Sequence, residues 1–236
     1  MTATPAFWAV IPAAGVGRRM GSAIPKQYLE LAGRPVIEHT LECFIDHPAI
    51  AGVVVAVDPA DPYWPETRYA THPRVIRAPG GAERCNSVLN GLEALSAHAA
   101  ADDWALVHDA ARPCLRRSDL DAMLDELADD PVGGILAVQV RDTMKRAGTE
   151  GRIETTVERS ALWHAFTPQM FRLGTLRQAL RQALAEGALV TDEASAIERL
   201  GQAPRLLEGQ SDNLKITRPE DLALARFHLQ QQGRLD

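Results

Sequence analysis

Alternation of element types is what most constrains this chain. Short apolar runs, FWAVIP (7–12), GVVVAV (52–57), RVIRA (74–78), WALVHD (104–109) and VGGILAV (132–138), are separated by stretches in which apolar residues return at helical spacing. Val36, Ile37, Thr40, Leu41, Phe44 and Ile45 make one such stripe. Val88, Leu89, Leu92 and Leu95 make a second, and Leu120, Met123, Leu124 and Leu127 a third, with Ser118 as its expected cap. A run that is apolar throughout is buried on both faces, and strands that alternate with helices build a parallel sheet covered by those helices. The expected fold is α/β: a mostly parallel twisted sheet with helices on both faces. A last helix is expected from ITRPEDLALARFHL, where Thr217 and Glu220 have capping-box spacing and Pro219 falls in the first turn.

No Pro-, Gly- or Ser-rich linker, repeat or low-complexity tract interrupts the 236 residues, so a single domain over 1–236 is expected. Residues 139–160, QVRDTMKRAGTEGRIETTVERS, break the pattern: they are polar on both faces, with AGTEG as a turn between two extended arms. A hairpin of that composition buries little in its own domain and is marginal alone. It reads either as a surface loop or, preferably, as a protruding β-arm that lies against a second copy and makes a homodimer.

The net charge of −6 and the absence of a basic run argue against a nucleic-acid surface, and any anionic ligand must be drawn by cations focused in a cleft. No apolar run approaches the roughly 18 residues of a membrane span, and the N-terminus lacks a basic leader region. Cys43, Cys85 and Cys114 are odd in number and widely spaced, which gives neither a disulfide framework nor a CxxC metal site and suits a cytoplasmic location. Of 25 basic residues only three are lysines, Lys26, Lys145 and Lys215.

The turn after the first run reads PAAGVGRRMGSAIPKQ. A turn leaving the first strand of a parallel sheet lies at the carboxyl edge, where open α/β folds bind ligands. Gly15 and Gly17 let backbone amides approach a phosphate; a plain tight turn is the other reading. The spacing is not the dinucleotide fingerprint, because the acidic residue ending the second run, Asp58, comes about 40 positions later rather than about 20. No G-K-[ST] follows, which excludes a Walker A loop. Arg18, Arg19 and Lys26 crowd the same loop, and positioned cations are what a triphosphate attacked at its α-phosphorus needs. Asp109, at the end of a central strand, suits Mg²⁺ with phosphate oxygens and water; capping the next turn is its alternative role. No paired thiolate or histidine accompanies His108, so zinc is not expected.

In order along the chain, AAGVGRRM, PKQYLELAGRPVIEHTL, PGGAERCNSVLNGL, VHDAARPCL, VRDTMKR, WHAFTPQ, VTDEASAIE and DNLKITRPEDL resemble the 2-C-methyl-D-erythritol 4-phosphate cytidylyltransferase family. The resemblance runs from about residue 8 to 228 and implies a Rossmann-like nucleotidyltransferase. It implies that CTP is held by the first loop and attacked by the 4-phosphate of methylerythritol, a step of the non-mevalonate route to isoprenoids. By match to its motifs, Arg19 and Lys26 stabilise the transition state, with Arg18 less critical. Ala13, Ala14, Gly15, Gly81 and Ser87 would read the cytidine, although Ser87 would serve equally as a cap serine. Arg112, Thr143, Thr167 and Lys215 would bind the sugar phosphate together with Asp109, and Arg159 would reach a partner's site unless it is merely a solvated charge. Asp212 would stand near the metal beside Asp109. A cytidylyltransferase acting on ribitol 5-phosphate is the rival within the same fold. Arg84 is left open between phosphate contact and solvent.

Overall fold

The computed structural model describes residues 4–15 and 24–235. Gly17, Arg18 and Arg19 therefore lie outside the described residues.

The chain opens with β1 (Phe7–Pro12), a short antiparallel pair of β2 (Glu30–Leu31) and β3 (Arg34–Pro35), and then α1 (Val36–Ile45). The alternating part continues as β4 (Ile50–Val57), β5 (Val75–Pro79), α2 (Arg84–Leu95), β6 (Trp104–Val107), α3 (Arg117–Leu127) and β7 (Gly133–Gln139). Two strands follow that pair with each other, β8 (Met144–Ala147) and β9 (Ile153–Val157). The chain closes with β10 (Trp163–Arg172), α4 (Leu173–Ala185), α5 (Glu193–Arg199), β11 (Arg205–Glu208) and α6 (Glu220–Gln231).

Among the described residues the main sheet has seven strands in the order β11-β7-β10-β6-β1-β4-β5. Its pairs are parallel except those of β10, which runs antiparallel between β6 and β7. Alternation along the central strands splits the core into two layers, as the side-chain period of a strand requires. Ile11, Val53, Val55 and Leu106 face α1 and α3, meeting Ile37, Leu41, Phe44, Met123 and Leu124. Val10, Val54, Ala105 and Val107 face the other way, against Val88 and Leu92 of α2, Leu176 and Leu180 of α4 and Ile197 of α5. Helices on both faces, as expected, bury the sheet. A smaller cluster, Leu31, Val36, Ala111, Cys114, Ile216, Ala225 and Leu229, seats α6.

Three local expectations are corrected. Ser118 does not cap α3; Arg116 holds the cap position without a side-chain bond, and Ser118 is inside the helix with its hydroxyl on Asp119 Oδ1. Glu220 does not complete a box with Thr217: Asp221 Oδ2 accepts from the Thr217 amide (2.7 Å), the Thr217 hydroxyl (3.0 Å) and the Arg218 amide (2.9 Å). A carboxylate one residue later reaches the same orphan donors from the first turn. The polar hairpin is narrower than 139–160, because Gln139 still belongs to β7 and the Val140 amide still bonds to the Leu162 carbonyl. The free arm is β8 and β9, joined by a turn in which Gly151 takes φ +72° and exposed along its whole length except at Val157.

Candidate active site

A cleft of about 640 Å³ opens at the carboxyl ends of β1 and β6. From β1 the chain runs outward through β4 and β5, then returns to lay β6 on the other side of β1. That reversal is a topological switch point, where the loops diverge and leave a crevice.

One wall is the end of β1. Pro12, Ala13, Ala14 and Gly15 line it, and Gln27 holds it in place from below. The buried Gln27 side chain donates both amide hydrogens, to the carbonyls of Ala13 (2.7 Å) and Gly15 (3.1 Å). Gly80 permits the facing loop to cross here, since a Cβ on it would lie 2.2 Å from Ala14 Cβ and 3.2 Å from the Val57 carbonyl carbon. Gly81 turns its amide onto Ser87 Oγ (2.9 Å), and that hydroxyl donates to the Glu83 carbonyl (3.2 Å). Ser87 thus fastens the start of α2 while lining the cleft, so the cap-like role and the cleft position coincide. Ala13, Ala14, Gly15, Gly81 and Ala82 place only small side chains, or none, along this part of the cleft wall.

The opposite wall is cationic. Lys26 and Lys215 both line the cleft, and Lys26 Nζ donates to the carbonyl of Ile216 (3.0 Å), beside Lys215. Ile216 is fully buried while Lys215 faces Asp109, which is the alternation expected of NLKIT although the segment is not a strand. Asp109 is the focus: Lys215 Nζ lies 2.8 Å and Arg112 Nε 3.2 Å from Oδ2, and Arg84 Nε 2.9 Å from Oδ1. Burial opposes the charge on Asp109, but Arg84 first, then Lys215 and Arg112, hold its carboxyl well below the usual carboxylate range. Arg84 lines the cleft with its side chain partly exposed, and its guanidinium lies between Asp109 and Glu193.

Arg112 and Thr167 stand behind Asp109 and are not among the cleft-lining residues. Arg112 is buried, donates Nη1 to the Asn213 carbonyl (2.7 Å) and lies over the Phe166 ring. Thr167 Oγ1 accepts the Asp109 amide (3.2 Å) and lies 3.0 Å from His108 Nδ1. His108 Nε2 donates to the Arg112 carbonyl (3.0 Å), which leaves Nδ1 to accept the threonine hydroxyl in a neutral ring. Thr143 and Arg159 flank the free arm and are exposed, away from this cleft in their own subunit. Asp212, expected beside Asp109 near a metal, stands apart from the cleft. It does not line the cleft; Oδ2 takes Arg116 (2.7 Å) and Gln232 Nε2 (3.1 Å), and Oδ1 is buried with no hydrogen-bond partner. Among the described residues no group of three or more His, Cys, Asp or Glu is placed to hold a metal, and no helix is long and apolar enough to cross a membrane.

Burial pushes the His108 ring down to about 4 from an ordinary value of 6.5. Between those values the unfolded chain takes up a proton that the folded chain does not, so stability falls as pH drops. Urea denaturation at pH 7 and pH 5 should show a loss of about 2 kcal/mol from His108, at about 1.4 kcal/mol per pH unit below 6.5. His39, also lowered by burial, adds in the same direction. His108→Gln should flatten the slope; an unchanged slope would place the titration elsewhere.

Gln27, Gly80 and Glu193 carry this geometry and were not marked as site residues by the sequence, whereas Arg84 was left open between phosphate and solvent. Gly80 alone had a local signal, a Gly-Gly pair ending a strand.

Residues 7–231 match the family model of 2-C-methyl-D-erythritol 4-phosphate cytidylyltransferase (IspD). The enzyme of that name from Pseudomonas putida (strain GB-1) is 65% identical over 223 residues, covering 94% of this chain and 95% of the relative. A crystal structure of a 4-diphosphocytidyl-2C-methyl-D-erythritol synthase superposes with a TM-score of 0.83 at 42% identity, covering 95% of this chain and 98% of that one. The Francisella tularensis enzyme gives a TM-score of 0.83 at 36% identity over 95% of this chain and all of its own. With a family model matched over residues 7–231 and likeness to a named relative running almost end to end, the chain belongs to the 2-C-methyl-D-erythritol 4-phosphate cytidylyltransferase family.

Proposed function

We propose that the cleft transfers the cytidylyl group of CTP to 2-C-methyl-D-erythritol 4-phosphate, giving 4-diphosphocytidyl-2-C-methyl-D-erythritol and pyrophosphate in isoprenoid synthesis. The observation that carries this reading is the convergence of Lys26 and Lys215, two of the chain's three lysines, on one slot beside a buried carboxylate. The sugar-borne phosphate oxygen forms a bond to the α-phosphorus while the α–β bridging oxygen departs with pyrophosphate. No base is required, because the phosphate monoester is already an anionic nucleophile. Cytidine takes the slot between Ala13–Gly15 and Gly81–Ser87; Gly17 and Arg19, expected from the sequence to act with it, lie outside the described residues. Lys26 and Arg19 take the charge that grows on the non-bridging oxygens, and water exclusion strengthens such contacts. Lys215, with Arg112 and Thr167 near it, receives the second phosphate.

Asp109 fits Mg²⁺ as a single ionised carboxylate on the wall, since Mg²⁺ keeps waters and takes its remaining ligands from phosphate oxygens. When bound there, the ion neutralises part of the triphosphate charge; Asp212, turned to Arg116, is not needed for it. The arm supports a homodimer: among the described residues β8 and β9 pair only with each other, and Ile153 is 67% exposed on them. Docked on a second copy, the arm would bring Thr143 and Arg159 to the partner's cleft. Three free cysteines suit a cytoplasmic enzyme.

Pyrophosphate release from CTP should require methylerythritol phosphate and a divalent cation. Ribitol 5-phosphate, which the matched family does not favour, should give less than about 1% of that rate, since a polar slot rejects a mismatched polyol by ~10² or more. Equal rates, or no release with methylerythritol phosphate, would overturn the assignment.

A further inference from the structure

The stretch VTDEASAIE lines no part of the cleft, yet Glu193, the first residue of α5, is completely buried. A carboxylate out of water is costly unless it is paired. Its two oxygens accept from Arg84, Oε1 from Nη1 at 2.7 Å and Oε2 from Nη2 at 3.0 Å. The third guanidinium nitrogen, Nε, donates to Asp109 Oδ1 at 2.9 Å. Arg84 is therefore a planar connector with its fork on Glu193 and its remaining edge on the cleft carboxylate. The start of α5 is itself fixed. Gln169 of β10 donates Nε2 to Asp192 Oδ2 (2.9 Å) and accepts the Ala194 amide at Oε1 (2.8 Å). The same strand carries Thr167, which accepts the Asp109 amide. Asp109 is thus gripped from β10 twice, at its backbone through Thr167 and at its carboxylate through α5 and Arg84.

We propose that Glu193 is a positioning residue: acting through Arg84, it fixes the carboxylate of Asp109 in the orientation that the nucleotide-bearing cleft requires. This rests on the reaction proposed above. Tying α2 to α5 does not by itself call for charge, because an apolar pair of similar volume holds two helices at least as well as a buried ion pair. What an apolar pair cannot supply is the N–H directed at Asp109.

Steady-state kinetics on CTP and methylerythritol phosphate, with thermal unfolding, should be compared for wild type, Glu193→Gln, Arg84→Met, their combination, and Arg84→Met with Glu193→Leu. In Glu193→Gln, kcat is expected to fall by ~10²-fold, the scale set by displacing a reacting group by ~1 Å. KM for CTP should move by less than about threefold, because the cytidine slot is untouched. Adding Glu193→Gln to Arg84→Met should cost less than about twofold more, since the connector is already gone. The Met/Leu pair should melt at or above the wild-type temperature yet turn over only as slowly as Arg84→Met. Wild-type kcat in Glu193→Gln, losses that multiply across the double variant, or recovery of kcat in the Met/Leu pair would each refute the proposal. Pyrophosphate release by wild type in the same series separates that failure from a failure of the assigned reaction.

Discussion

Lys26→Ala is expected to lower kcat by about 10²–10³-fold while the protein stays folded. Lys26 lines the cleft beside Gln27, on the short helical turn Lys26–Tyr28 that follows the first loop. Its Nζ donates to the Ile216 carbonyl, and loss of that hydrogen bond, worth about 1 kcal/mol, accounts for about 2–4 °C in melting temperature for a chain of this length. Stability and rate therefore part company. In the proposed reaction, charge developing on the α-phosphate and the departing pyrophosphate is what the amine would answer and the alanine could not. Lys26→Arg should not restore the rate, because a planar fork does not occupy the place of a compact point charge. Wild-type kcat in Lys26→Ala would remove this lysine from the reaction.

The second large effect is expected from Asp109→Asn. Arg84, Arg112 and Lys215 all bear on that carboxylate, and neutralising it leaves three cations facing one another with Glu193 the remaining counter-charge. Breaking one side of such a buried arrangement costs about 3 kcal/mol, readable as a lower urea midpoint at pH 7. Turnover should fall below about 1% as well, since the group proposed to meet the metal has lost its charge and the cations around it their register. The pH behaviour follows from the sign of the shift. A carboxylate held far below its unfolded value near 3.9 contributes stability that is complete above that value and is lost only as pH falls further. Asp109→Asn should therefore leave the pH 7-to-5 stability slope intact, whereas His108→Gln flattens it. A slope that vanished in Asp109→Asn would mean the two groups titrate as one.

The strands and their order of burial were readable because a central strand announces itself by composition alone. FWAVIP and GVVVAV have nowhere to go but the middle of a sheet, and they become β1 and β4 in parallel register, Val10 beside Val54. The antiparallel strand Trp163–Arg172 was not readable, because WHAFTPQMFR is polar at one end and carries a proline, both of which weaken a strand pattern. The cleft was half readable. Asp109 is marked at the end of an apolar run, Lys26 by the cations crowding the first loop, and Lys215 by the family resemblance. Glu193 is not, because its meaning depends on Arg84, a residue 109 positions away, and no local spacing encodes that pair. Gln27 escaped notice for a related reason: what it holds is backbone, and carbonyls have no letter in a sequence. Ser118 misled by two residues and Glu220 by one, since cap chemistry is set by where the first helical turn begins and neighbouring polar residues compete for the role.

The cleft is closed by the two ends of the chain. Ala13 and Gly15 belong to its first strand and loop, and Lys215 and Thr217 to the segment just before its last helix. That segment is stitched in by Lys26 on the Ile216 carbonyl, by the Ile216 amide on the Ala111 carbonyl, and by Arg112 on the Asn213 carbonyl. A nascent chain still threaded in the ribosome at this point has its sheet largely laid down but no finished pocket. Under the proposed reaction, competence for nucleotide depends on Lys215 and Thr217 being in place, so a chain cut before them is expected to be inert toward CTP.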